Sequence, residues 1–332
     1  MNIQNLINTK PQNTIILVDG HLVHSHTDPN IDFSTNQNYI SNLGKHTSQH
    51  QIAPTPTSIL NIEIPNNVQI ETPLSIICMG KVQSLNHETA IKIGKNSHLE
   101  CIETFLSNND SRINNVTTIS ENATFKSSTI HDLNANSVNT YNKYSQMLAN
   151  SVSQTTNFML HDGNITVNDV TDLFGFGAEV VVNTVAIANA DQKQKITVKA
   201  LHSAPHTKSK IVNHGIVKDK AHLTFDSIGE VHKGMRASDA QQDSRILNLS
   251  KTAEAIANPM LIIDEGDITA SHAASIGQLD EEQLYYLMSR GMTNIDAKKL
   301  IVSGFLMPFI ECMTNEFLKE QLFTIIEQKL AE

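Results

Sequence analysis

Among the residues that could take part in chemistry, His272 has the most unusual surroundings. It lies within Ala270-Ser271-His272-Ala273-Ala274, a run of small residues with one imidazole. Short apolar runs typical of β-strands precede this segment, and a helical pattern begins at Leu279. We therefore place His272 at a strand-to-helix junction. The residue types by themselves favour a structural histidine held by hydrogen bonds over a functional one.

The other histidines give little support for a metal site, although the chain contains 15 of them. A metal site needs several ligands in a fixed frame, and no acidic or thiol partner accompanies the N-terminal histidines. The pair His202 and His206 is interrupted by Pro205, so we interpret it as a corner between strands with a structural or interface role. The N-terminal candidates are His21, His24, His26, His46 and His50.

The three cysteines, Cys78, Cys101 and Cys312, lie far apart and show no CxxC spacing. They are too few for a disulfide framework and wrongly spaced for a closed zinc site. Because free cysteine is among the most buried residue types, we interpret all three as small apolar core residues.

The composition excludes several function classes. The chain has 332 residues, with 34 Asp and Glu against 24 Lys and Arg. Its basic residues form no stripe, which disfavours nucleic acid as a partner. The longest apolar stretch, residues 300–313, is interrupted by polar residues and proline, so we expect no membrane span. The N-terminus lacks the pattern of a signal peptide, so we expect a cytoplasmic protein.

The middle of the chain consists of short alternating runs separated by polar corners. Leu60, Ile62 and Ile64 alternate with polar residues, and similar runs recur as far as Val198. No stretch between these runs is long enough for a helical crossover. The pattern predicts strands arranged either as a sandwich or as a parallel solenoid. Asp19-Gly20, which follows an N-terminal apolar run, predicts a hairpin.

An alternative function for a parallel solenoid is a carbohydrate-active enzyme. Such an enzyme needs two or three carboxylates that converge on one exposed groove. Asp162, Asp169 and Asp172 are the candidates, but turn residues interrupt them, so we expect them to solvate corners. The sequence also has no phosphate-binding loop, nucleophile elbow or dinucleotide motif. We therefore expect no enzymatic activity.

Capping residues predict helices at the end of the chain. Asp280 and Gln283 have capping-box spacing, and Gly291 is a natural residue to follow the helix that they begin. Thr293 and Asp296 predict a second helix as far as Phe305, which Pro308 should kink or end. A third helix, at about 315–330, has an apolar face that must pack on something, and we expect that to be the other two helices.

Several short segments of this sequence resemble motifs of the SufB/SufD family, the scaffold proteins of iron–sulfur cluster assembly. The resemblance extends from about Ile59 to the end of the chain. Within the family, the sequence around Ser271-His272 and from Leu287 to Gly291 is similar to the SufD branch. The matching segments are Phe176-Gly177-Ala178-Glu179, 202–209, Asp239-Ala240-Gln241-Gln242, Asn258-Pro259, Ser271-His272-Ala273-Ala274, 280–287 and Ser289-Arg290-Gly291.

The resemblance implies a mainly β fold, a right-handed parallel β-helix with a small C-terminal helical domain and a short irregular N-terminal segment. It divides the chain into an N-terminal segment at 1–57, a β-helix core at 58–277 and a helical domain at 278–332. The sequence departs from the family pattern at two positions. Ala270 stands where many relatives have a cysteine, which removes a thiol beside His272. Ser227 stands where glycine is usual, a change that we expect to affect only a turn.

The function implied by the resemblance is a SufD-like, non-catalytic scaffold that holds no cofactor stably and takes part in a transient iron–sulfur cluster. A SufB-like chain would pair with its β-helix through the last strands, about Phe225 to Ile268, with His272 as the iron-binding residue at that interface. The same edge could form a homodimer when the chain is alone. A SufC-like ATPase would bind the helical domain, through Asp280, Gln283, Tyr285, Tyr286, Arg290 and Gly291.

Overall fold

The computed structural model describes residues 13–36, 56–311, 313 and 316–331. In chain order the strands are β1 Thr14–Val18, β2 His21–His26, β3 Asp32–Asn36, β4 Ser58–Ile64, β5 Leu74–Gly80, β6 Leu85–Ile93, β7 His98–Ser107, β8 Ser111–Ile119, β9 Thr124–Leu133, β10 Val138–Met147, β11 Val152–Met159, β12 Asn164–Leu173, β13 Glu179–Ala188, β14 Lys193–His202, β15 Lys208–Val217, β16 His222–Val231, β17 Ser238–Asn248, β18 Glu254–Ile263 and β19 Ile268–Gln278. The helices are α1 Glu281–Ser289, α2 Asn294–Ile310 and α3 Glu316–Ala331.

From β4 onward the strands alternate between two sheets, so each turn of the chain adds one strand to each sheet. The ten-stranded sheet has the order β19-β17-β15-β13-β11-β9-β7-β5-β1-β2, and the nine-stranded sheet runs β18-β16-β14-β12-β10-β8-β6-β4-β3. Neighbouring strands from β4 to β19 within each sheet are parallel, which rules out an antiparallel sandwich. The expectation of a parallel β-helix is confirmed.

Asparagine residues at one corner of successive turns are linked by hydrogen bonds. Asn67, Asn96, Asn122 and Asn150 stack at equivalent corners, each with φ between 55° and 63°. Asparagine tolerates this left-handed conformation better than most residues. The Nδ2 of Asn96 donates to Oδ1 of Asn67 at 2.8 Å, and the contact repeats from Asn122 to Asn96 at 3.1 Å and from Asn150 to Asn122 at 3.3 Å. The ladder holds successive corners in register.

The described part of the N-terminal segment is not irregular. β1 and β2 form the antiparallel hairpin predicted from Asp19-Gly20, and both turn residues have positive φ. β1 also pairs in parallel with β5, and β3 pairs antiparallel with β4. The first three strands therefore extend both sheets at one end of the β-helix.

The opposite end of the β-helix is open. The side chains that fill the interior are buried from the first turns onward, and the largest include Phe105, Phe125, Tyr141 and Phe225. In β18 and β19, by contrast, no residue is buried. We call this pair of strands the last rung. Its interior face is open because no further strand of the described chain stacks on it.

The first two helices begin at the capping residues that the sequence predicts. The Asp280 side chain accepts from the backbone of Glu282 and Gln283, and Thr293 Oγ1 accepts from the Asp296 backbone at 3.1 Å. Gly291, with φ +97°, follows α1 as expected. α2, however, continues through Pro308 to Ile310. No helix of the described ranges is long and apolar enough to cross a membrane.

The packing of the helices differs from the expectation that they cover one another. α2 and α3 contact each other, but they also cover the outer face of the ten-stranded sheet. That face is apolar over most of its length, which gives the helices a surface to bury. The sheet residues in this second core include Ile77, Ile102, Ile130, Phe158 and Val185, and the helix residues include Val302, Leu306, Phe309, Leu318, Leu322 and Ile326.

Candidate functional site

His272 lies in the middle of β19, not at a strand-to-helix junction. The strand continues to Gln278, and α1 begins three residues later. In the ladder between β17 and β19, His272 is paired with Gln242, whose side chain is buried in the interior. Paired residues of a parallel ladder face the same side of the sheet. The imidazole is therefore directed to the interior side of the last rung, where it is exposed because that end is open.

Around His272, the interior-facing side chains of the last rung are small, and polar side chains one rung deeper form the floor of this open end. Its interior-facing positions include Ala270 and Ala274 on β19, and Ala257 and Pro259 on β18, as the strand pairing defines them. One rung deeper the interior side chains include Gln242, Ser244 and Ser227. Asn213 Nδ2 donates to Ser227 Oγ at 2.8 Å and to Ser244 Oγ at 3.1 Å.

The position of Ser227 corrects the expectation that its difference from glycine affects only a turn. Ser227 lies within β16, is 0% exposed and faces the interior. Its hydroxyl lies 3.2 Å from Ser244 Oγ, in addition to its contact with Asn213. A glycine at this position would leave Asn213 with one acceptor fewer in a buried site, where unpaired polar atoms are costly.

One imidazole cannot by itself hold an iron atom firmly. The described residues contain no group of three or more His, Cys, Asp or Glu side chains placed to bind a metal. Iron in proteins is held by several imidazole, thiolate or carboxylate ligands. If His272 binds iron, the other ligands must come from outside the described part of this chain.

The last rung also presents two unpaired strand edges. β19 is the outermost strand of the ten-stranded sheet and β18 that of the nine-stranded sheet. The expected pairing region, about Phe225 to Ile268, overlaps these edges only in part. Phe225 is fully buried one strand inside, whereas β19 begins at Ile268. Large apolar side chains are exposed here, namely Ile256, Met260, Ile262, Ile263 and Ile276.

The residues expected to bind an ATPase gather on α1 and its ends. Asp280 and Gly291 begin and end the helix, so their first role is structural. Tyr285 and Tyr286 are 75% and 56% exposed, and the Arg290 guanidinium lies 5.2 Å from the centre of the Tyr286 ring. None of the residues of α1 is buried. Met288, Ile295 and Leu300 extend the exposed apolar surface. A shallow depression nearby is lined by Asp280, Glu282, Gln283, Tyr286, Leu287 and Ile301.

The interior of the middle turns contains charged residues that we did not predict. Glu103, Lys143 and Asp169 are each at most 3% exposed. Asn115 Nδ2 donates to both oxygens of Glu103, at 2.8 and 2.7 Å, and Asn157 Nδ2 donates to Asp169 Oδ2 at 3.0 Å. We call these five residues the interior polar cluster. The alternating pattern could have located Glu103, which lies between the inward-facing Cys101 and Phe105.

Burial and charge shift the protonation of this cluster. Burial raises the pKa of Glu103 to about 7, although the Lys143 ammonium acts in the opposite direction. Burial also raises the pKa of Asp169, again against the effect of Lys143. Lys143 Nζ lies 3.4 Å from Ser127 Oγ and 3.3 Å from Thr155 Oγ1. One ammonium thus acts on two buried carboxyl groups.

Several histidines are interior residues rather than ligands. Burial lowers the pKa of His87 to about 4, of His161 to about 3 and of His202 to about 4, so all three are neutral at pH 7. His202 is hydrogen-bonded to Thr207 Oγ1 at 2.7 Å and to Ser209 Oγ at 2.8 Å, consistent with the predicted structural role. His21, His24 and His26 lie on β2, while His46 and His50 lie outside the described residues.

The cysteines that the structure describes are inert. Cys78 and Cys101 are free and fully buried, as predicted. Burial raises the pKa of both thiols well above the usual value, so neither is a ready thiolate. Cys312 lies outside the described residues.

The three candidate carboxylates of a carbohydrate enzyme do not converge, and the expectation that all three solvate corners is wrong for two of them. Asp169 is buried in the interior. Asp172, 9% exposed, accepts from the Tyr144 hydroxyl at 3.4 Å. Asp162 lies at a corner and forms an ion pair with Lys329 of α3. Because the three carboxylates do not share one groove, the arrangement does not favour a glycosidase.

Comparison with known proteins places the chain in a family. A family model described as SUF system FeS cluster assembly, SufBD core domain, matches residues 76–305. The chain belongs to the SufB/SufD family. SufD of Bacillus subtilis (strain 168) is 29% identical over 306 residues, which cover 89% of this chain and 70% of that protein.

Two further relatives show the branch within the SufBD family. SufD of Escherichia coli (strain K12) is 29% identical over 173 residues, 52% of this chain and 41% of that protein. SufB of Bacillus subtilis (strain 168) is 34% identical over 152 residues, only 45% of this chain and 32% of that protein. The longer match to SufD makes this SufBD-family chain most like SufD.

Proposed function

We propose that this chain is a scaffold subunit of SUF iron–sulfur cluster assembly that pairs with a SufB-like chain through its last rung. The observation that carries the proposal is the pair of unpaired strand edges, β18 and β19, at an open end of the β-helix. Exposed strand edges are templates for pairing with another chain, and natural proteins usually cover them. The exposed isoleucines of the last rung give the same surface an apolar component.

His272 is the residue of this surface that we assign to the cluster. It lies on the interior side of β19, among alanines, at the end that the partner would cover. A nascent iron–sulfur cluster would be the cargo of the pair. His272 would supply one ligand and the SufB-like chain the others, because the described residues of this chain offer no complete set. The chain alone would hold no cluster stably.

Charged substitutions at the open end test the pairing. Ile263 and Ile276, 38% and 49% exposed on the interior face of the last rung, would be changed together to Glu, and Val138 and Val152, 63% and 44% exposed on middle strands, form the matched control pair. Co-expression with the SufB-like chain should give a stable complex with the wild type and with the control. The Ile263→Glu/Ile276→Glu variant should lose it, because two charges would be buried at the interface. A complex that survives both charges contradicts the proposed interface.

The assignment of His272 has its own test, which is cluster reconstitution in the assembled complex. His272→Ala should lower the iron and sulfide content and the delivery of cluster to an acceptor protein. Complex formation, followed by size-exclusion chromatography, serves as the control and should not change. Normal cluster content and delivery with the variant would return His272 to a structural role.

We also propose that α1 and the residues around it bind a SufC-like ATPase. The support is the exposed surface of Tyr285, Tyr286, Met288, Ile295 and Leu300, which the rest of the described chain leaves uncovered. Aromatic residues and arginine are enriched at interface centres, and Arg290 lies beside Tyr286. Gln283 lines the depression next to these rings.

Point substitutions are the suitable test of the ATPase contact. Deleting the helical domain would uncover the outer face of the ten-stranded sheet, including Phe158 and Val185. Because that face is apolar, the truncated β-helix would then aggregate. Tyr285→Ala/Tyr286→Ala should abolish capture of the ATPase. Phe174→Ala/Phe176→Ala, at residues 57% and 53% exposed on a corner of the rod, is the matched control. Equal capture by both variants contradicts the proposed site.

In a preparation without a SufB-like chain, the same edges could pair with a second copy of this chain. Pairing of one surface with itself gives a twofold dimer. Light scattering at micromolar concentration should report the mass of two chains. A mass equal to one chain would contradict self-pairing and leave the pairing with SufB to its own test.

A further inference from the structure

The residue beneath His272 has an oxygen atom without a partner. Gln242 lies on β17, is 4% exposed and faces the interior. Its Nε2 donates to the backbone carbonyl of Met260 at 3.0 Å. A carbonyl only accepts, so this contact fixes which end of the amide is nitrogen. The other end, Oε1, is buried and has no hydrogen-bond partner among the described residues.

The space for this amide depends on Gly229. A Cβ atom at position 229 would lie 3.0 Å from Gln242 Nε2, closer than side chains ordinarily approach. Gly229 lies on β16, in the other sheet, so two sheets and the Met260 carbonyl of the last rung together hold the amide in place. An amide held this firmly, with one end unpartnered, has its free acceptor in a fixed position.

The nearest donor on the next rung is His272. Gln242 and His272 are paired in the β17–β19 ladder and face the same side of the sheet, one ladder spacing apart, about 4.8 Å. The other interior neighbours of His272 on β19, Ala270 and Ala274, have no polar side-chain atom. Ser244, next to Gln242 on the same face, already has its hydroxyl between Asn213 and Ser227.

We infer that Gln242 is a positioning residue for His272, a role that rests on the proposed assembly function. When a partner covers the last rung, the imidazole loses its water contacts, and its N–H donates to Gln242 Oε1. A neutral imidazole has one N–H and one lone pair. The hydrogen bond fixes the tautomer and the ring orientation, and the second nitrogen is then directed away from the floor to bind iron. Contacts of this kind to ligand histidines orient them and raise their basicity.

The test uses the full chain in complex with the SufB-like chain and two measurements, Fe²⁺ titration and ¹⁵N spectra of labelled histidine. Gln242→Met removes the acceptor at nearly constant length, and Gln242→Glu keeps an acceptor oxygen. Gln241→Met, one residue away on the opposite face of the strand, is the control. The His272 signals are assigned with His272→Asn.

Gln242→Met should weaken Fe²⁺ binding about 10- to 100-fold, the usual effect of losing such a contact, and should convert His272 from one tautomer to a mixture. Gln242→Glu keeps an acceptor for His272 but loses the donor to the Met260 carbonyl. It should therefore bind Fe²⁺ more tightly than Gln242→Met and more weakly than the wild type, and it should keep one tautomer. Gly229→Ala, whose Cβ would press on both the amide and Leu261, should also weaken binding to an intermediate extent. Gln241→Met should change neither measurement.

The outcomes separate this inference from the proposed function. If Gln242→Met binds Fe²⁺ as tightly as the wild type with an unchanged His272 tautomer, while His272→Asn loses binding, Gln242 does not position His272 and only this inference is overturned. If His272→Asn itself binds Fe²⁺ as tightly as the wild type, the proposed function of the site fails first.

Discussion

The middle of the β-helix and its last rung have the same backbone and opposite environments. In the middle, the interior polar cluster is closed above and below by further strands, and each of its residues is at most 3% exposed. In the last rung, the equivalent interior positions are open, and His272 is exposed. A strand of a solenoid therefore does not determine the burial of its own side chains. Their burial depends on the next rung, and no strand of the described residues follows β18 and β19.

The difference also separates two kinds of histidine. His87 and His161 are buried deep in the interior, where burial lowers each pKa to about 4 and about 3. Such rings neither bind a proton at neutral pH nor reach a partner. Among the histidines of the described residues, only His272 combines the interior face of a strand with access from outside. The comparison predicts large stability effects for changes in the middle and small ones for changes in the last rung.

The largest effect should come from Lys143→Met in the interior polar cluster. The substitution removes the one ammonium that acts on the buried carboxyls of Glu103 and Asp169. Removing one partner of a buried charged group typically costs about 3–5 kcal/mol. Urea unfolding at pH 7, followed by circular dichroism, measures the loss.

The control for this prediction is Lys92→Met. Lys92 forms an ion pair with Glu63 at 2.6 Å, but both side chains are more than half exposed. Exposed ion pairs contribute about 0–1 kcal/mol. Equal losses for the two lysines would show that the interior is not the low-dielectric environment that the burial implies.

The second effect is on acid stability, and His161 is the residue to change. Its folded-state pKa is about 3, below the usual 6.5. Between these values the unfolded chain binds a proton that the folded chain does not, so stability falls as the pH is lowered from 6.5 towards 3. At pH 4 one such group costs about 3 kcal/mol. His161→Gln should make this acid limb shallower by the share of one group in urea unfolding measured from pH 7 to pH 4, because His87 and His202, whose pKa values burial also lowers, still contribute to it.

Glu103 changes the stability with pH in the opposite direction. Its folded-state pKa is raised to about 7, so the folded chain holds a proton that the unfolded chain loses, and stability falls as the pH rises from about 4.5 to 7. Glu103→Gln should remove that fall and leave the acid limb of His161 unchanged. If both variants flatten the same limb, the buried groups titrate as one coupled unit.

The sequence predicted the fold and the helix caps better than it predicted the burial of polar residues. Capping requires only local side chains, and Asp280 and Thr293 act as expected. Asp169 was misplaced because a carboxylate among turn residues resembles a solvated corner, and only the register of β12 shows that it faces the interior. His272 was predicted at a strand-to-helix junction, but it lies within β19. A strand of small residues with an open face has no apolar alternation to reveal it.

A matched pair of isoleucines gives the third test. Ile246 and Ile276 are neighbours in the β17–β19 ladder, yet Ile246 is 2% exposed and Ile276 is 49% exposed. Ile246→Ala should cost about 2–4 kcal/mol, as for other buried large-to-small substitutions. Ile276→Ala should cost less than about 1 kcal/mol in the isolated chain and should weaken binding of the SufB-like chain. Similar unfolding losses for both would mean that the last rung is covered in the isolated chain.

The smallest stability effect should come from His272→Ala. The ring is exposed on the open face and fills no interior space, so the free energy of unfolding should change by no more than about 0.5 kcal/mol. His202→Ala is the contrasting change. His202 is 0% exposed, and its loss would leave Thr207 and Ser209 with one hydrogen bond fewer in the interior, at a cost of about 2–4 kcal/mol. Urea unfolding of both variants measures the difference. A loss of 2 kcal/mol or more for His272→Ala would show that the imidazole is a packed structural residue, and the open end would then have no free ligand to offer a partner.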